Sequence, residues 1–329
     1  MKYQQVGHSG LKVSELSLGA MTFGRETSAA DAGRIVAAAI ERGVNFFDTA
    51  NTYANSESEK IVGEVLKSTR HSQIIATKFG NPITKDANGQ GASRVHILRQ
   101  VEESLRRLQT DYIDVYYVHH VDHVTPFDET LSALDSLVKS GKVRYVGASN
   151  FEAWRLLESL WVAQTRGYTP YVIYQPQYNL LVRDIEDEIV PVCRLKGVGI
   201  VPWSPLAGGW LSGKYRSVET APRDTRIADR GLGRSGSFHA DNRDAIVQVL
   251  RSVATELGAT PAAVALRWVL DQPGVSSAII GARTLEQAEA NLAALELQLP
   301  ADKRALLDKV SSPRPRYPKD SESNRTPAA

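Results

Sequence analysis

The chain has 329 residues, of which 42% are hydrophobic and 23% charged, an ordinary balance for a globular protein. Its 39 Lys and Arg against 37 Asp and Glu give a net charge of +2, which excludes the broad basic surface of a nucleic-acid-binding protein. The single cysteine, Cys193, excludes an internal disulfide, and no Cys/His cluster has zinc-site spacing. No signal-like or membrane-spanning apolar run occurs, so we expect a cytoplasmic protein without a metal.

Short apolar runs rich in Val, Ile and Tyr alternate along the chain with segments of helical periodicity. The predicted strands are 15–20, 44–48, 73–78, 113–119, 143–149, 172–175, 198–203 and 276–281. The predicted helices are 31–42, 57–69, 93–108, 127–140, 152–163, 184–196, 242–257, 261–271 and 284–296. Eight parallel strands with helical crossovers predict an α/β fold of the (β/α)8 TIM-barrel type. A doubly wound open sheet is the alternative, but LGAMTFG after the first strand lacks the GxGxxG pattern of such folds.

The chain is predicted to form a single domain, because no linker divides it. We assign residues 1–311 to the barrel and expect 312–329, which are polar and rich in proline, to form a mobile tail. A long insertion, 204–240, lies between the seventh and eighth strands and is rich in Gly, Ser, Arg and Asp. An insertion at that position can cover the mouth of a barrel.

Polar side chains close the apolar runs of the predicted strands. The residues at these strand ends are Asp48, Lys78, His119, Ser149 with Asn150, and Gln175. In a barrel the carboxyl ends of the strands meet at one mouth, where the active site lies. Because side chains alternate along a strand, Asp48, Lys78 and His119 are expected to face the barrel interior. The sequence therefore predicts ionisable groups clustered at the mouth.

Tyr53 lies in the loop after Asp48, and SESE at 56–59 predicts a capping box that starts the next helix and fixes this loop. A phenol, with an unperturbed pKa of about 10, is a poor acid at neutral pH unless a neighbouring cation stabilises its phenolate. Lys78 would supply the cation, and a paired Asp48 would keep it charged despite burial. Each group alone is more often a structural residue. Their order along the chain favours an acid that protonates a developing alkoxide.

These residues resemble the catalytic tetrad of the aldo-keto reductases. The motifs are DTANTY with Asp48 and Tyr53, ATK with Lys78, and DVYYVHH with His119, and the similarity extends from GLKVSELSLGAMTFG to IIGARTLEQAEANL. The resemblance implies a (β/α)8 barrel that uses NADP(H) to move a hydride between nicotinamide and a carbonyl carbon. It implies that Tyr53 is the general acid, Lys78 its modulator, and Asp48 the partner of the lysine. His119 would orient or polarise the carbonyl.

The same resemblance implies contacts to the cofactor. These residues are Met21, Ser149, Asn150, Gln175, Trp203, Ser204, Leu206, Gly208, Lys214, Arg226, Gly281, Arg283, Gln287 and Asn291. Ser149, Asn150 and Gln175 would hold the carboxamide, while Trp203 would stack on the nicotinamide ring. The backbone of SPLAGG, with Lys214 and Arg226, would hold the pyrophosphate.

The segment after the eighth strand is implied to hold the adenosine end of the cofactor. Arg283 would face the 2'-phosphate, which favours NADP over NAD. The sequence has Ala290 where many relatives carry Glu, so the adenine contact stays open. Thr284 is expected to cap the following helix, a structural role that is compatible with a phosphate site.

Two other functions remain open. A Schiff-base lyase would use a buried lysine as its nucleophile, but a paired Asp48 raises the pKa of Lys78 and opposes this role. The run WSPLAGGWLSGKY also resembles the β subunits of voltage-gated potassium channels, which bind a channel partner. The complete tetrad favours a metabolic reductase.

Substrate identity depends on the loops around the mouth. Phe23, Phe79, His120, Phe238 and His239 are candidate lining residues, and such a lining predicts aldehydes and ketones with aryl or other apolar groups. Arginines in the insertion would instead suit an anionic substrate. A small-molecule carbonyl substrate is thus expected, with no nucleic-acid or membrane partner. Whether the chain forms a homo-oligomer stays open.

Overall fold

The N-terminal segment forms a hairpin that the sequence patterns did not predict. The computed structural model describes residues 1–214 and 242–313. Strands β1 (Tyr3–Gln5) and β2 (Lys12–Ser14) pair antiparallel, with Tyr3 opposite Ser14. Strands of three residues are too short to show a clear period of two, which is why they were missed.

Eight parallel strands follow and form the predicted barrel. They are β3 (Leu16–Gly19), β4 (Phe46–Asp48), β5 (Ile74–Phe79), β6 (Ile113–Val118), β7 (Val143–Ser149), β8 (Ile173–Gln175), β9 (Gly199–Ile200) and β10 (Ala278–Gly281). Each strand from β3 to β9 pairs with the next, and β10 pairs with β3. Backbone bonds from Ser276 N to Ile200 O (2.8 Å) and from Ile279 N to Pro202 O (2.9 Å) connect β9 to the β10 segment. The (β/α)8 prediction is therefore confirmed.

The helices surround the strands close to their predicted positions. They are α1 (Ala29–Glu41), α2 (Glu57–Leu66), α3 (Arg94–Leu108), α4 (Phe127–Lys139), α5 (Ala153–Arg166), α6 (Ile189–Lys196), α7 (Arg243–Glu256), α8 (Pro261–Leu270), α9 (Leu285–Leu292) and α10 (Ala301–Val310). The predicted helix 184–196 is divided into a short 3-10 turn, Asp184–Glu186, and α6. Helix α10 was not predicted. Thr284 caps α9 as expected, accepting a hydrogen bond from Gln287 N.

The described residues form two hydrophobic cores, and the smaller one shows which end of the barrel is closed. The larger core lies between strands and helices, whereas a smaller cluster fills the barrel interior with residues such as Phe46, Val115 and Ile173. Val6 and Val13 of the hairpin segment belong to the interior cluster and have no exposed surface. The hairpin thus closes the amino-terminal end of the barrel. The carboxyl ends of the strands are left as the site-bearing face.

The insertion between β9 and β10 is described only in part. Residues 204–214 contain a 3-10 turn, Ala207–Ser212, and residues 215–241 lie outside the described part. Most of the predicted tail, 314–329, also lies outside it. No helix in the described ranges is both long and apolar enough to span a membrane.

Candidate active site

The four sequence-predicted groups lie together at the mouth. Lys78 in β5 has no exposed surface, and Asp48, at the end of β4, is 3% exposed. The Nζ atom of Lys78 pairs with Asp48 Oδ1 and donates to the carbonyl oxygen of Thr49 at 2.8 Å. It also lies 3.3 Å from the hydroxyl of Tyr53. One ammonium group thus joins the carboxylate to the phenol.

The surroundings of Lys78 keep its ammonium group charged. Burial disfavours the charge, but the attraction of Asp48 and Tyr53, together with hydrogen bonds to both, outweighs it and raises the pKa of Lys78. Gln175 adds support from the other side, because its amide nitrogen donates to Asp48 Oδ2 at 2.8 Å. A lysine nucleophile needs a neutral amine. The raised pKa therefore disfavours a Schiff-base role.

The loop that carries Tyr53 is fixed differently from the prediction. The prediction of a capping box at 56–59 is wrong, because Ser56 has a left-handed backbone (φ 71°) and its side chain makes no cap hydrogen bond. Its Oγ instead donates to the carbonyl oxygen of Asn51 at 2.6 Å. Ser58 Oγ donates to Ala20 O and lies 2.7 Å from Thr49 Oγ1. These bonds anchor the loop to the ends of β3 and β4.

The other predicted capping residue, Glu59, serves a different contact. Its carboxylate is fully buried, accepts from Thr77 Oγ1 at 2.5 Å and pairs with Arg107 Nε at 2.6 Å. Thr77 precedes Lys78 in β5. Glu59 therefore joins α2 to the outer face of the strand that carries the lysine.

His119 is a neutral imidazole at the mouth. Burial, followed by the charge of Lys78, lowers its pKa well below the usual 6.5. Its Nδ1 lies 3.1 Å from Nδ2 of Asn81. Because an amide NH₂ only donates, Nδ1 accepts and the proton is on Nε2. The His119 ring also packs edge-on against the Tyr53 ring, with 5.8 Å between centroids.

The residues predicted to hold a carboxamide form one polar network beside these groups. Ser149 Oγ donates to the carbonyl oxygen of Gln175 at 2.7 Å. Asn150 Nδ2 donates to Ser149 Oγ and to His119 O, both at 2.9 Å. The indole nitrogen of Trp203 donates to Asn150 Oδ1 at 3.2 Å. This network orients the strand ends and connects the ring of Trp203 to His119.

Two glycines in the predicted cofactor segments border open space. Among the described residues, a Cβ atom on Gly208 (φ 65°) or on Gly281 would meet nothing within 4 Å. Gly208 N donates to Ser204 Oγ at 3.2 Å, and Ser204 has a left-handed backbone (φ 56°). Leu206, two residues before Gly208, is half-buried, and so is Met21 in the loop after β3. Close approach of a ligand to the backbone at Gly208 and Gly281 is thus sterically permitted, as a bound dinucleotide requires.

A second polar cluster surrounds the start of α9. Gln287 Oε1 accepts from Arg283 N at 3.0 Å, and Asn291 Nδ2 donates to Gly281 O at 3.2 Å. The guanidinium of Arg283 lies 3.9 Å from Glu26 Oε1. Backbone N–H groups and an arginine at a helix N-terminus suit an anion, and Glu26 opposes it.

Several predicted residues lie elsewhere. Phe23 and Phe79 were expected to line the pocket, but they are 1% and 0% exposed and belong to the core between strands and helices. The position of Phe79 follows from strand alternation, since it directly follows the inward-facing Lys78 in β5. Lys214 is exposed. Arg226, Phe238 and His239 fall outside the described residues.

The sequence patterns missed two contributors to the site. Asn81 contacts His119, and the carbonyl oxygen of Thr49 contacts Lys78. Asn81 comes three residues after Lys78, in the loop after the same strand, so its position beside the mouth could have indicated it. The carbonyl oxygen of Thr49 has no sequence signal, because every residue carries one.

Fold and site together define a (β/α)8-barrel protein with a buried lysine–carboxylate pair beneath a tyrosine and a neutral histidine. The sequence matches the family model described as the Aldo/keto reductase family over residues 15–312. The chain belongs to this family. Membership supports oxidoreductase activity on carbonyl compounds, and the family generally uses NAD(P)H.

Three relatives illustrate the range of the similarity. "Uncharacterized oxidoreductase YrpG" of Bacillus subtilis is 37% identical over 94% of this chain and 96% of its own length. "Probable voltage-gated potassium channel subunit beta" of Arabidopsis thaliana is 36% identical over 99% of this chain and 100% of its own length. "Versiconal hemiacetal acetate reductase" of Aspergillus parasiticus is 31% identical over 97% of this chain and 99% of its own length. The chain therefore matches whole relatives rather than a fragment of them.

Proposed function

We propose that the chain is an NADPH-dependent reductase of aldehydes and ketones in which Tyr53 is the general acid. The observation that carries this proposal is the position of Lys78 Nζ, which pairs with Asp48 and lies 3.3 Å from the Tyr53 hydroxyl. A fixed cation at this distance stabilises the phenolate that forms when Tyr53 gives up its proton. The phenol can then act as an acid at neutral pH.

Tyr53, Lys78 and Asp48 have different roles in the proposed reduction of a carbonyl group. A bound nicotinamide supplies the hydride that reduces the carbonyl carbon. As negative charge develops on the carbonyl oxygen, Tyr53 donates its hydroxyl proton to that oxygen, and Lys78 stabilises the phenolate that remains. Asp48 keeps Lys78 charged throughout the step, since a buried unpaired ammonium tends to lose its proton.

His119 is proposed to position the carbonyl group. A neutral imidazole with its proton on Nε2 is a hydrogen-bond donor that carries no charge of its own. It can therefore polarise a carbonyl oxygen without competing with Lys78 for the phenolate. Asn81 fixes this tautomer through its contact with Nδ1 (3.1 Å).

The residues that would hold the cofactor surround the same mouth. Ser149, Asn150 and Gln175 would bind the carboxamide, and Trp203 would cover the ring. The backbone around Ser204, Leu206 and Gly208 would hold the pyrophosphate, with Lys214 and Arg226 assigned there by family resemblance. Met21 is assigned to the cofactor by the same resemblance, without a particular group. Gly281, Arg283, Gln287 and Asn291 would hold the adenosine end. The open space above Gly208 and Gly281 supports this assignment.

The proposed catalytic unit is residues 1–311, as a single barrel domain. Helix α10 supports this boundary, because Leu307 is fully buried and Asp308 Oδ1 accepts from the indole nitrogen of Trp268 at 2.8 Å. Helix α10 therefore packs on the barrel as part of the same domain.

The test compares wild-type protein with Tyr53→Phe, using NADPH and a panel of aldehydes and ketones. We expect the variant to bind NADPH nearly as tightly, because the ring remains, while turnover falls by about two to four orders of magnitude, the range of general acid catalysis. Cofactor consumption measures turnover, and a fluorescence titration measures binding. Unchanged turnover with weakened NADPH binding would contradict the role of Tyr53.

The potassium channel relatives favour a second candidate, in which the chain binds a membrane protein and oxidoreductase chemistry is secondary. The 36% identity over the full length of the Arabidopsis relative is the observation behind it. Affinity purification from a detergent extract of the native host separates the two. Stoichiometric recovery of a membrane protein, together with negligible turnover on all carbonyls, would replace the reductase proposal.

A further inference from the structure

Helix α5 presents an apolar face that the rest of the described chain leaves uncovered. Trp154 is 57% exposed, Leu157 37% and Trp161 60%. Positions 154 and 161 are seven residues apart, nearly two helical turns, so the two indoles lie in line on the surface with Leu157 on one side. Clustered exposed apolar side chains of this size mark an interaction surface.

A depression adjoins one end of this face. It has a volume of about 240 Å³ and is lined by Asp128, Trp161, Val162, Thr165 and Arg166. Asp128 and Arg166 pair across it, with Oδ1 of Asp128 2.9 Å from Nε of Arg166. The α5 face therefore offers both a protruding indole, at Trp154, and a hollow beside Trp161.

Charged side chains flank the tryptophans on the side opposite Leu157. At 100° per residue, Arg155 and Glu158 both lie on that side. The guanidinium of Arg155 is 4.4 Å from the centroid of the Trp154 ring, and it also lies 3.4 Å from Glu152 Oε2 and 3.1 Å from His123 Nδ1. Glu158 is exposed, and no pairing with it occurs among the described residues. One side of the stripe is thus apolar and the other carries both signs of charge.

We propose that the α5 face binds a second copy of this chain, with the two α5 helices antiparallel about a two-fold axis between Leu157 and Glu158. Trp154 of each copy then lies level with Trp161 of the other and enters the hollow beside it. Arg155 is then offset by about 3 Å along the axis from Glu158 of the other copy and lies on the same side of the two-fold axis, so it can exchange Glu152 for this carboxylate in two reciprocal ion pairs. A two-fold interface requires a self-complementary surface of this kind.

The exposed area is sufficient to form the centre of a dimer interface. The two indoles and Leu157 offer about 300 Å² per copy, out of the roughly 800 Å² that each partner gives to a standard interface. Tryptophans at the centre with charged residues at the rim match the usual distribution of binding energy. Neighbouring exposed residues of α4 and α5 supply the remainder.

The arrangement has a consequence for the active sites. Helix α5 starts just after Ser149 at the mouth and runs towards the closed end of the barrel. Antiparallel α5 helices therefore direct the two mouths in opposite directions. Each site is complete within its own copy, so loss of the dimer should leave turnover per chain unchanged.

The experiment measures mass by sedimentation equilibrium over a range of concentrations. We expect the wild-type protein to have twice the 36.1 kDa mass of one chain. Trp161→Lys should weaken dimerisation by at least about tenfold, since it removes a central indole and places two charges in the interface. Leu306→Lys is the matched control, because Leu306 is 47% exposed on α10, which packs on α7 and not on α5.

A charge exchange tests the antiparallel arrangement itself. Arg155→Glu and Glu158→Arg should each weaken the dimer by placing like charges together, whereas the double variant should restore most of the affinity. A monomeric wild-type protein, or a dimer that Trp161→Lys leaves intact, would overturn the proposal. Weakened dimerisation in both single variants without recovery in the double variant would also overturn the proposal. This test stays valid even if Trp161→Lys does not fold. Turnover with NADPH reports separately on the proposed function.

Discussion

Lys78 is the residue on which the proposed chemistry depends, because it is completely buried and still carries its charge. Removing the ammonium takes away the stabilisation of the phenolate directly, whereas removing the carboxylate of Asp48 does so only through the lysine. We therefore expect Lys78→Met to lower turnover by more than about a hundredfold and Asp48→Asn to lower it less. Single-turnover rates measure the difference.

Substitution of the lysine should also lower the stability of the folded protein. Lys78→Met leaves Asp48 buried without its partner, so we expect it to cost several kcal/mol in the free energy of unfolding, within the roughly 3–5 kcal/mol typical of a broken buried pair. The double variant Lys78→Met/Asp48→Asn should recover part of this loss without recovering turnover. Urea unfolding checks the first value. A larger kinetic defect in Asp48→Asn than in Lys78→Met would argue against the order of roles.

Substitutions of Arg283 and Glu26 should change the affinity for NADPH in opposite directions. Arg283→Ala should weaken NADPH much more than NADH, because only NADPH carries the 2'-phosphate. Glu26 lies 3.9 Å from the guanidinium of Arg283, so its carboxylate opposes a phosphate at that position. Glu26→Gln should tighten NADPH binding by up to about fivefold, the value of an exposed charge interaction, and leave NADH unchanged. Titration of both nucleotides measures this.

Glu286→Gln provides the control for Glu26. Glu286 is an exposed carboxylate in the first turn of α9, three residues after Arg283. Its removal should change NADPH affinity less than removal of Glu26. Equal losses of NADPH and NADH in Arg283→Ala would show that the arginine does not read the 2'-phosphate.

At the scale of elements, the hairpin that closes the barrel depends on a tight approach between two backbones. Gly7 has φ 52°, and a Cβ atom there would lie 2.1 Å from the carbonyl oxygen of Gly197. We expect Gly7→Ala to destabilise the protein by more than about 2 kcal/mol, through both a left-handed backbone and a clash that only backbone movement can relieve. Thermal or urea unfolding gives the value.

Gly141→Ala separates these two causes. Gly141 has φ 77°, but nothing lies within 4 Å of the added Cβ atom, so only the backbone cost of about 1 kcal/mol should remain. If both variants lost the same stability, the contact between the Gly7 turn and Gly197 would contribute nothing measurable. A small loss in both would mean that the hairpin tip can move away from the barrel.

The strands and three of the four site groups could be predicted from the sequence because they follow simple periodic rules. Alternation along a strand places Asp48, Lys78 and His119 on one face, and parallel strands bring their ends together. The Tyr53 loop does not follow such a rule. Ala54, Asn55 and Ser56 all have left-handed backbones (φ 50°, 53° and 71°) without a glycine to signal them. Bonds to distant residues, such as Ser58 to Ala20, hold this conformation.

At the scale of the whole molecule, two buried histidines contribute to the way stability responds to mild acid. Burial lowers the pKa of His119 well below 6.5, and burial lowers the pKa of His96 as well. His96 Nδ1 lies 2.8 Å from the carbonyl oxygen of Asn88, and its buried Nε2 has no hydrogen-bond partner. Charging either ring therefore adds a proton that the folded state cannot accommodate, and His119 would also face the ammonium of Lys78.

The lowered pKa values in the folded state give the sign of the pH dependence of stability. Below pH 6.5 the unfolded chain binds more protons on these histidines than the folded chain does, so the free energy of unfolding falls as pH falls. Each histidine contributes at most about 1.4 kcal/mol per pH unit in this window. His119→Asn and His96→Gln should each reduce the slope between about pH 5 and 6.5, and the double variant should reduce it most. Urea unfolding at several pH values measures the slope. An unchanged slope in the double variant would assign the acid sensitivity to other groups, either His120, whose pKa is also lowered by burial and by Lys78, or carboxylates, whose protonation belongs to lower pH.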